Sequence, residues 1–232
     1  MIGDGRREPR PVFEDNHVLI LNKPAGMPTQ ADSSGDQCLI DWGKAYLKEK
    51  YAKPGNVFLA AVHRLDRPVS GLVILAKTSK AAQRLSGAIR KGGLSKQYLA
   101  VCHRGPDEAA GRLRTWLRKD REKNRAIGAL PDEPKAREAI TDWKLIQRSG
   151  DRSLLLLIPL TGRHHQLRFH SSQLGCPIVG DLKYGSTRSL GHYIMLHASR
   201  VEFPHPTKGV EVVFDSTPDW DTSEFDSNQS CS

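Results

Sequence analysis

The stretch His63-Arg64-Leu65-Asp66-Arg67-Pro68-Val69-Ser70-Gly71-Leu72-Val73-Ile74-Leu75-Ala76-Lys77 sets one carboxylate between two arginines, then turn residues, then an apolar run. Pro68 fixes φ and removes a backbone donor, and Gly71 permits a tight bend. Leu72 to Ala76 is short, apolar and placed directly behind the turn, which predicts a buried strand. Asp66 is therefore expected on a loop anchored by a core strand. The two neighbouring guanidiniums favour its ionised form. An ionised carboxylate in a cationic loop suits a nucleophile or a general base and makes a poor acid. Taken alone, Arg-Leu-Asp-Arg is equally compatible with a structural ion pair.

Upstream, Val18 to Asn22 is a strand candidate followed by the turn Lys23-Pro24-Ala25-Gly26-Met27-Pro28. Apolar residues at helical spacing predict helices over Cys38 to Tyr51 and over Ser79 to Lys91, the latter with Ser79 as N-cap. Phe58 to Val62 leads as a short strand into the Asp66 loop. Downstream, Lys96-Gln97-Tyr98 opens a strand over Tyr98 to Cys102. Gly111 to Arg137 is the most basic and least regular part, with Trp116 among the charges. It fits either a flexible RNA-contacting loop or a solvated linker. Two strands follow, one entered through Lys135 to Trp143 and one over Leu154 to Ile158, paired across Ser149-Gly150-Asp151. Pro159-Leu160-Thr161-Gly162-Arg163-His164-His165-Gln166-Leu167-Arg168 then opens a helix capped by Thr161 or Gly162. Free N–H groups in its first turn, with Arg163, would favour an anion, and Asp66 is the candidate. Strands over Tyr193 to Ser199 and Val210 to Phe214 complete the pattern.

The His63–Gly71 run resembles the signature of the RluA-type pseudouridine synthases, in which His-Arg-Leu-Asp and a Ser-Gly pair carry the catalytic aspartate. Thr161-Gly162-Arg163-His164-His165-Gln166-Leu167-Arg168 resembles that family's Thr-Gly-Arg-x-His-Gln-x-Arg motif, and Asn22 to Pro28 its first motif. Lys96-Gln97-Tyr98, Pro177 to Gly185 and Leu196-His197-Ala198 match further elements in order. The resemblance runs from about residue 13 to residue 214. It implies an α+β pseudouridine-synthase fold, a mixed and mostly antiparallel sheet flanked by helices around a basic active-site cleft. It further implies Asp66 as nucleophile or base, Arg163 as its charge partner and Tyr98 stacked on the target uracil. Arg64 would fill the space of a flipped base, Leu167 would pack against that base, and Lys96 and Arg168 would favour phosphate. No cofactor is implied, because isomerisation of uridine imports no group. Pro68 and Val69 depart from the polar Asp/Glu-like and Thr residues usual before Ser70-Gly71, which puts the target in doubt.

The chain has 232 residues and a net charge of +9, an excess that points to a polyanionic partner. The expected partner is rRNA or tRNA, bound by a monomer. No apolar run approaches the ~20 residues of a membrane helix. Four scattered cysteines without a Cys-x-x-Cys pair favour a reducing, cytoplasmic setting and no zinc site. His164, His165 and His170 do not share a helical face as ligands four apart would, so no metal is expected. The expected organisation is a flexible basic arm over 1–11 with no room for an S4-like domain, a catalytic domain over 12–214 and an acidic disordered tail over 215–232. The rival from another class is a catalytically inert RNA-binding or ribosome-associated module on the same fold. A hydrolase using Asp66 is a third reading, weakened by the lack of a partner carboxylate.

Overall fold

Two strands buried along their whole length form the centre of the first half: β2 (Val18–Lys23) and β4 (Ser70–Ala76). They pair antiparallel from Val18 opposite Ala76 to Lys23 opposite Gly71. Runs this apolar can only be stable with both faces covered. The computed structural model, which describes residues 8–222 and 225, supplies that cover within a unit formed by Met1–Ser95 and Ala198–Thr217. There β1 (Arg10–Glu14) pairs with β2 through a bulge between Pro11 and Phe13, where the proline offers no donor. The two-residue β3 (Ala60–Ala61) pairs with β4, β10 (Leu196–Pro204) lies on the other side of β4, and β11 (Glu211–Asp215) pairs with β10.

Helix α1 (Leu39–Lys50) buries Leu39, Gly43 and Leu47. Helix α2 (Ser79–Arg90) lays Ala81 and Leu85 on a core of Val18, Ile20, Leu72, Ile74, Val201 and Phe203. Each large apolar side chain so buried contributes on the order of 1.5–3 kcal/mol. The N-cap of α2 is Thr78, whose Oγ1 accepts from the Ala81 N–H at 3.1 Å, one residue ahead of the expected Ser79. The expected basic arm over 1–11 is corrected at its end, since Arg10 and Pro11 belong to β1; Arg6 and Arg7 lie outside the described residues.

The second unit, Lys96–His197 with Pro218–Ser232, holds strands in the order β5 (Ser95–His103), β9 (Arg152–Pro159), β8 (Arg137–Ser149), β6 (Ala110–Asp120) and β7 (Arg125–Gly128). Each adjacent pair in this set is antiparallel. The basic stretch expected as an irregular loop is thus largely a β-hairpin. Arg112 and Arg114 alternate with Leu113 and Thr115, a period of two that a count of charges hides. Arg112 sits opposite Asp142 in the register and pairs with it, while Arg114 pairs with Glu138 and Arg118 with Glu133. The eight-residue α3 (Gln166–Gln173) and a short 3₁₀ turn at Leu182–Tyr184 complete this unit.

The acidic tail expected to be disordered over 215–232 is corrected at its start, and only residues 215–222 and 225 of it are described. Asp215 closes β11, and Trp220 and Phe225 pack on a cluster of Val101, Leu154, Val179 and Met195. Two aromatics supply the burial that the Ser/Asp-rich composition around them obscures. Glu224 and Asp226 lie outside the described residues.

Gly71 has φ +117°, and a Cβ there would overlap the Ala198 backbone on β10. Backbone has nowhere to yield inside a fully paired strand. Gly71→Ala is expected to cost about 3 kcal/mol or more, read as a lowered urea midpoint at unchanged slope.

Candidate active site

Asp66 lies between β3 and β4, and its backbone is held on both sides. Ahead of it, Thr29 Oγ1 donates to Leu65 O at 2.9 Å and accepts from Leu65 N–H at 3.1 Å. Behind it, the Arg67 carbonyl accepts from Gly26 N–H at 2.8 Å and from Lys23 Nζ at 3.2 Å. The Val69 N–H returns to Asp66 O at 3.0 Å, closing the turn that Pro68 shapes. His63 Nε2 accepts from Ile74 N–H at 3.0 Å, which ties the start of the motif to β4. Leu65 and Val69 are buried on either side, and the Asp66 side chain stays half-buried.

The cations around this carboxylate differ from the expectation. Arg64 is exposed. The Arg67 guanidinium donates to Asp36 at 2.5 Å, to both oxygens of Asp32 at 3.0 Å and to Ser34. Its charge is therefore directed at the 32–36 loop. The cation that acts on Asp66 from the core is Lys23, which is fully buried and donates to the carbonyls of Pro24 (2.9 Å), Met27 (2.8 Å) and Arg67. Burial pushes its pKa down to about 7, and the Asp66 charge acts in the opposite direction. Reading Lys23–Pro28 as a turn does not reveal this charge. A lysine ending an apolar strand just before Pro-x-Gly was the available signal.

In the second unit, Tyr98 stands on β5 opposite Leu157 and is 6% exposed. Lys96, two residues earlier on the same strand, is half-buried, and desolvation lowers its pKa. Residues two apart on a strand face the same way.

The helix expected from Thr161 or Gly162 begins only at Gln166. The Gln166 side chain explains the delay. Its Oε1 accepts from Arg163 N–H at 3.0 Å and from Thr161 Oγ1 at 2.7 Å. Its Nε2 donates to Ile140 O and Thr141 Oγ1, both at 2.9 Å. One amide thus folds residues 161–165 into a turn, with His165 at φ 51°. Arg163 is exposed in that turn, its Nε donating to Glu138 O at 2.7 Å. It does not occupy a helical first turn, so the helix-terminus anion site is withdrawn.

Leu167 is buried at 8% exposure on α3. Arg168 is corrected more sharply. It is buried and bidentate on Asp181, Nε at 2.6 Å and a terminal nitrogen at 2.7 Å, with a third contact to His165 Nε2 at 3.0 Å. An arginine buried to 6% exposure and locked on a buried carboxylate is not placed to meet phosphate. His165 Nδ1 meets the Tyr184 hydroxyl at 3.0 Å, and that hydroxyl accepts from Ala126 N–H at 2.6 Å. The Arg168 guanidinium also lies 5.1 Å from the Tyr184 ring centroid. Burial, then the Arg168 charge, hold the His165 pKa far below the ordinary imidazole range. His165 is therefore a neutral hydrogen-bonding residue. His164 stacks on it at 3.8 Å between centroids. Asp181 and Tyr184 thereby give the Pro177–Gly185 motif its architectural role.

The sequence profile of the RNA pseudouridylate synthase family matches residues 17–173. The chain belongs to this family. Two curated relatives, both ribosomal large subunit pseudouridine synthase C, come from Buchnera aphidicola subsp. Baizongia pistaciae and Rickettsia bellii. Identity to the first is 32% over 90% of this chain and 67% of the relative. To the second it is 34% over 87% and 65%. The chain thus spans about two thirds of the length of these relatives. Human RNA Pseudouridylate Synthase Domain Containing 1 aligns with a TM-score of 0.73 at 28% identity, over 94% of this chain and 86% of that one. Human RNA Pseudouridylate Synthase Domain Containing 4 gives 0.74 at 23%, over 89% and 87%, and shares the fold. The α+β reading with a mostly antiparallel sheet and the RluA-type pseudouridine-synthase assignment both hold.

Two outcomes follow for the second unit. Asp181→Asn strips a buried guanidinium of its counter-charge and is expected to cost about 3–5 kcal/mol, measured by denaturant unfolding. His170 is buried between Thr115 and Thr141 (2.8 Å each), and burial holds its pKa at about 4. Between an unfolded value of about 6.5 and that folded value, the unfolded chain binds the extra proton. Stability is therefore complete above about pH 6.5 and falls as pH drops toward 4, by up to about 3 kcal/mol. His170→Gln should flatten that limb of the pH–stability curve.

Proposed function

We propose that this chain isomerises uridine to pseudouridine in RNA, with Asp66 as the reacting carboxylate. The observation that supports this best is the frame of the Asp66 loop. Hydrogen bonds through Thr29, Gly26 and Lys23 fix the residues on both sides of Asp66 while its side chain stays half-buried, beside a core ammonium. A merely structural ion pair would not need a fixed, accessible carboxylate of this kind.

The reaction breaks the N1–C1′ bond, turns the uracil and forms a C5–C1′ bond. The C5 proton leaves, N1 gains one, and nothing is oxidised. Asp66 serves as nucleophile or base in this sequence. By the motif both residues match, Arg163 serves as the charge partner of Asp66. Tyr98 offers its face to the unstacked uracil and assists loss of the C5 proton. Reaching a stacked base requires flipping it out, and exposed Arg64, two residues before Asp66, fills the vacated space. Leu167 packs against the base and Lys96 attracts phosphate; Arg168 is replaced in this scheme by its structural role. No cofactor takes part.

The relatives named for the ribosomal large subunit favour rRNA over tRNA as substrate. Among the described residues no helix is long and apolar enough to cross a membrane. We infer a monomer acting on RNA in the cytoplasm.

The test is tritium release from RNA labelled at uridine C5. Wild type should release tritium stoichiometrically with pseudouridine formed. Asp66→Ala should lower the rate on the order of 10³-fold or more while RNA affinity is retained. Binding without release by wild type, across rRNA and tRNA, would overturn the reading in favour of an inert RNA-binding module.

A further inference from the structure

Arg67 follows the reacting carboxylate directly, and both its ends are held. Its carbonyl accepts from Gly26 and Lys23. Its guanidinium is gripped by a loop whose own geometry is organised to present two carboxylates. Asp32 Oδ1 accepts from Ser34 N–H at 3.0 Å and Ser34 Oγ at 2.6 Å, and Ser34 Oγ accepts from Asp36 N–H at 3.1 Å. Gly35 takes φ +74° at the bend. These local bonds fold 32–36 into a tight turn with both acidic side chains on Arg67.

The three side chains are between 35% and 44% exposed, so each ion pair alone is worth little. What the arrangement supplies is geometry. A planar guanidinium with several donors engaged has one orientation, whereas a single exposed pair leaves many. The same carboxylates do a second thing. In a chain of net charge +9 with a polyanionic substrate, a half-exposed arginine beside Asp66 would be drawn to phosphate and would pull the loop with it. Asp32 and Asp36 occupy its donors and repel phosphate from it.

We propose that Arg67 is a positioning residue, latched by Asp32 and Asp36, which holds Asp66 in register for attack and is kept off the RNA backbone. This rests on Asp66 being the reacting carboxylate. It assigns no substrate contact to Arg67 itself.

The experiment compares wild type, Asp32→Asn/Asp36→Asn and Arg67→Lys in tritium release and in amide hydrogen exchange. The double variant should lose about tenfold or more in kcat with KM unchanged or lowered, since a released Arg67 gains phosphate. Arg67→Lys, which keeps the charge but not the fork, should fall between the two. Val69 N–H, bonded to Asp66 O, should exchange at least about tenfold faster in the double variant. Val73 N–H, opposite Leu21 in the β2–β4 ladder, should exchange at the wild-type rate; acceleration of both would mark a merely structural loss and overturn the latch. A raised KM at unchanged kcat would make Arg67 or the 32–36 loop an RNA contact and overturn it likewise. Unchanged kcat with unchanged Val69 exchange would also sink it. Exchange at Val69 reads the latch even if wild type releases no tritium, which would instead count against the proposed reaction.

Discussion

A fully buried ammonium fixes the geometry of the first unit. Lys23 has three N–H donors and meets three carbonyl acceptors, from Pro24, Met27 and Arg67. The first two belong to the turn leaving β2, and the third belongs to the loop that carries Asp66. A buried amino group is costly unless its donors are satisfied; here the acceptors come from two separate segments, and the Asp66 charge offsets part of the burial that lowers the pKa to about 7. The turn and the loop must therefore be in place together. Thr29 adds the reciprocal bond to Leu65, and the strand pairing of Lys23 with Gly71 carries the constraint into the core. The position of Asp66 is thus a property of β2 and β4 as much as of its own loop.

The second unit solves a similar problem with different groups. Gln166 uses both ends of its amide to hold the turn containing Arg163 against β8. His165, one residue before Gln166, and Arg168, two residues after it, form a closed network with Asp181 and Tyr184. The Tyr184 hydroxyl extends that network to Ala126 on β7. A motif that reads as one catalytic block in sequence is therefore divided by function. Arg163 faces outward, and Gln166, His165 and Arg168 face inward to hold the turn.

Strands and helices with clear periodicity were legible: β2, β4, α1, α2, β5, β8 and β9 lie where apolar spacing places them. What escaped reading were partners distant in sequence. Nothing adjacent to Arg168 announces Asp181, thirteen residues on, and nothing next to Arg67 announces a loop more than thirty residues before it. The β6–β7 hairpin escaped because its arginines draw attention to charge, while the strand signal lies in the residues between them. The packing of Trp220 and Phe225 escaped because the Ser/Asp-rich composition around them hides two aromatics that reach a core surface. The helix start at Gln166 escaped because a side-chain amide, and no backbone preference of Thr161 or Gly162, decides it.

Ion pairing also changes how the net charge of +9 should be understood. Arg67, Arg112, Arg114, Arg118 and Arg168 are each engaged with a carboxylate. A pair of opposite charges adds nothing to the net value, so the excess resides on cations outside these pairs. Arg67 and the arginines crowding 112–118 are then largely structural. On the proposed reading, attraction to RNA falls to exposed lysines and arginines outside these pairs, since others, such as Lys23 and Lys77, are buried or paired as well. A basic composition therefore does not say by itself which residues would meet such a partner.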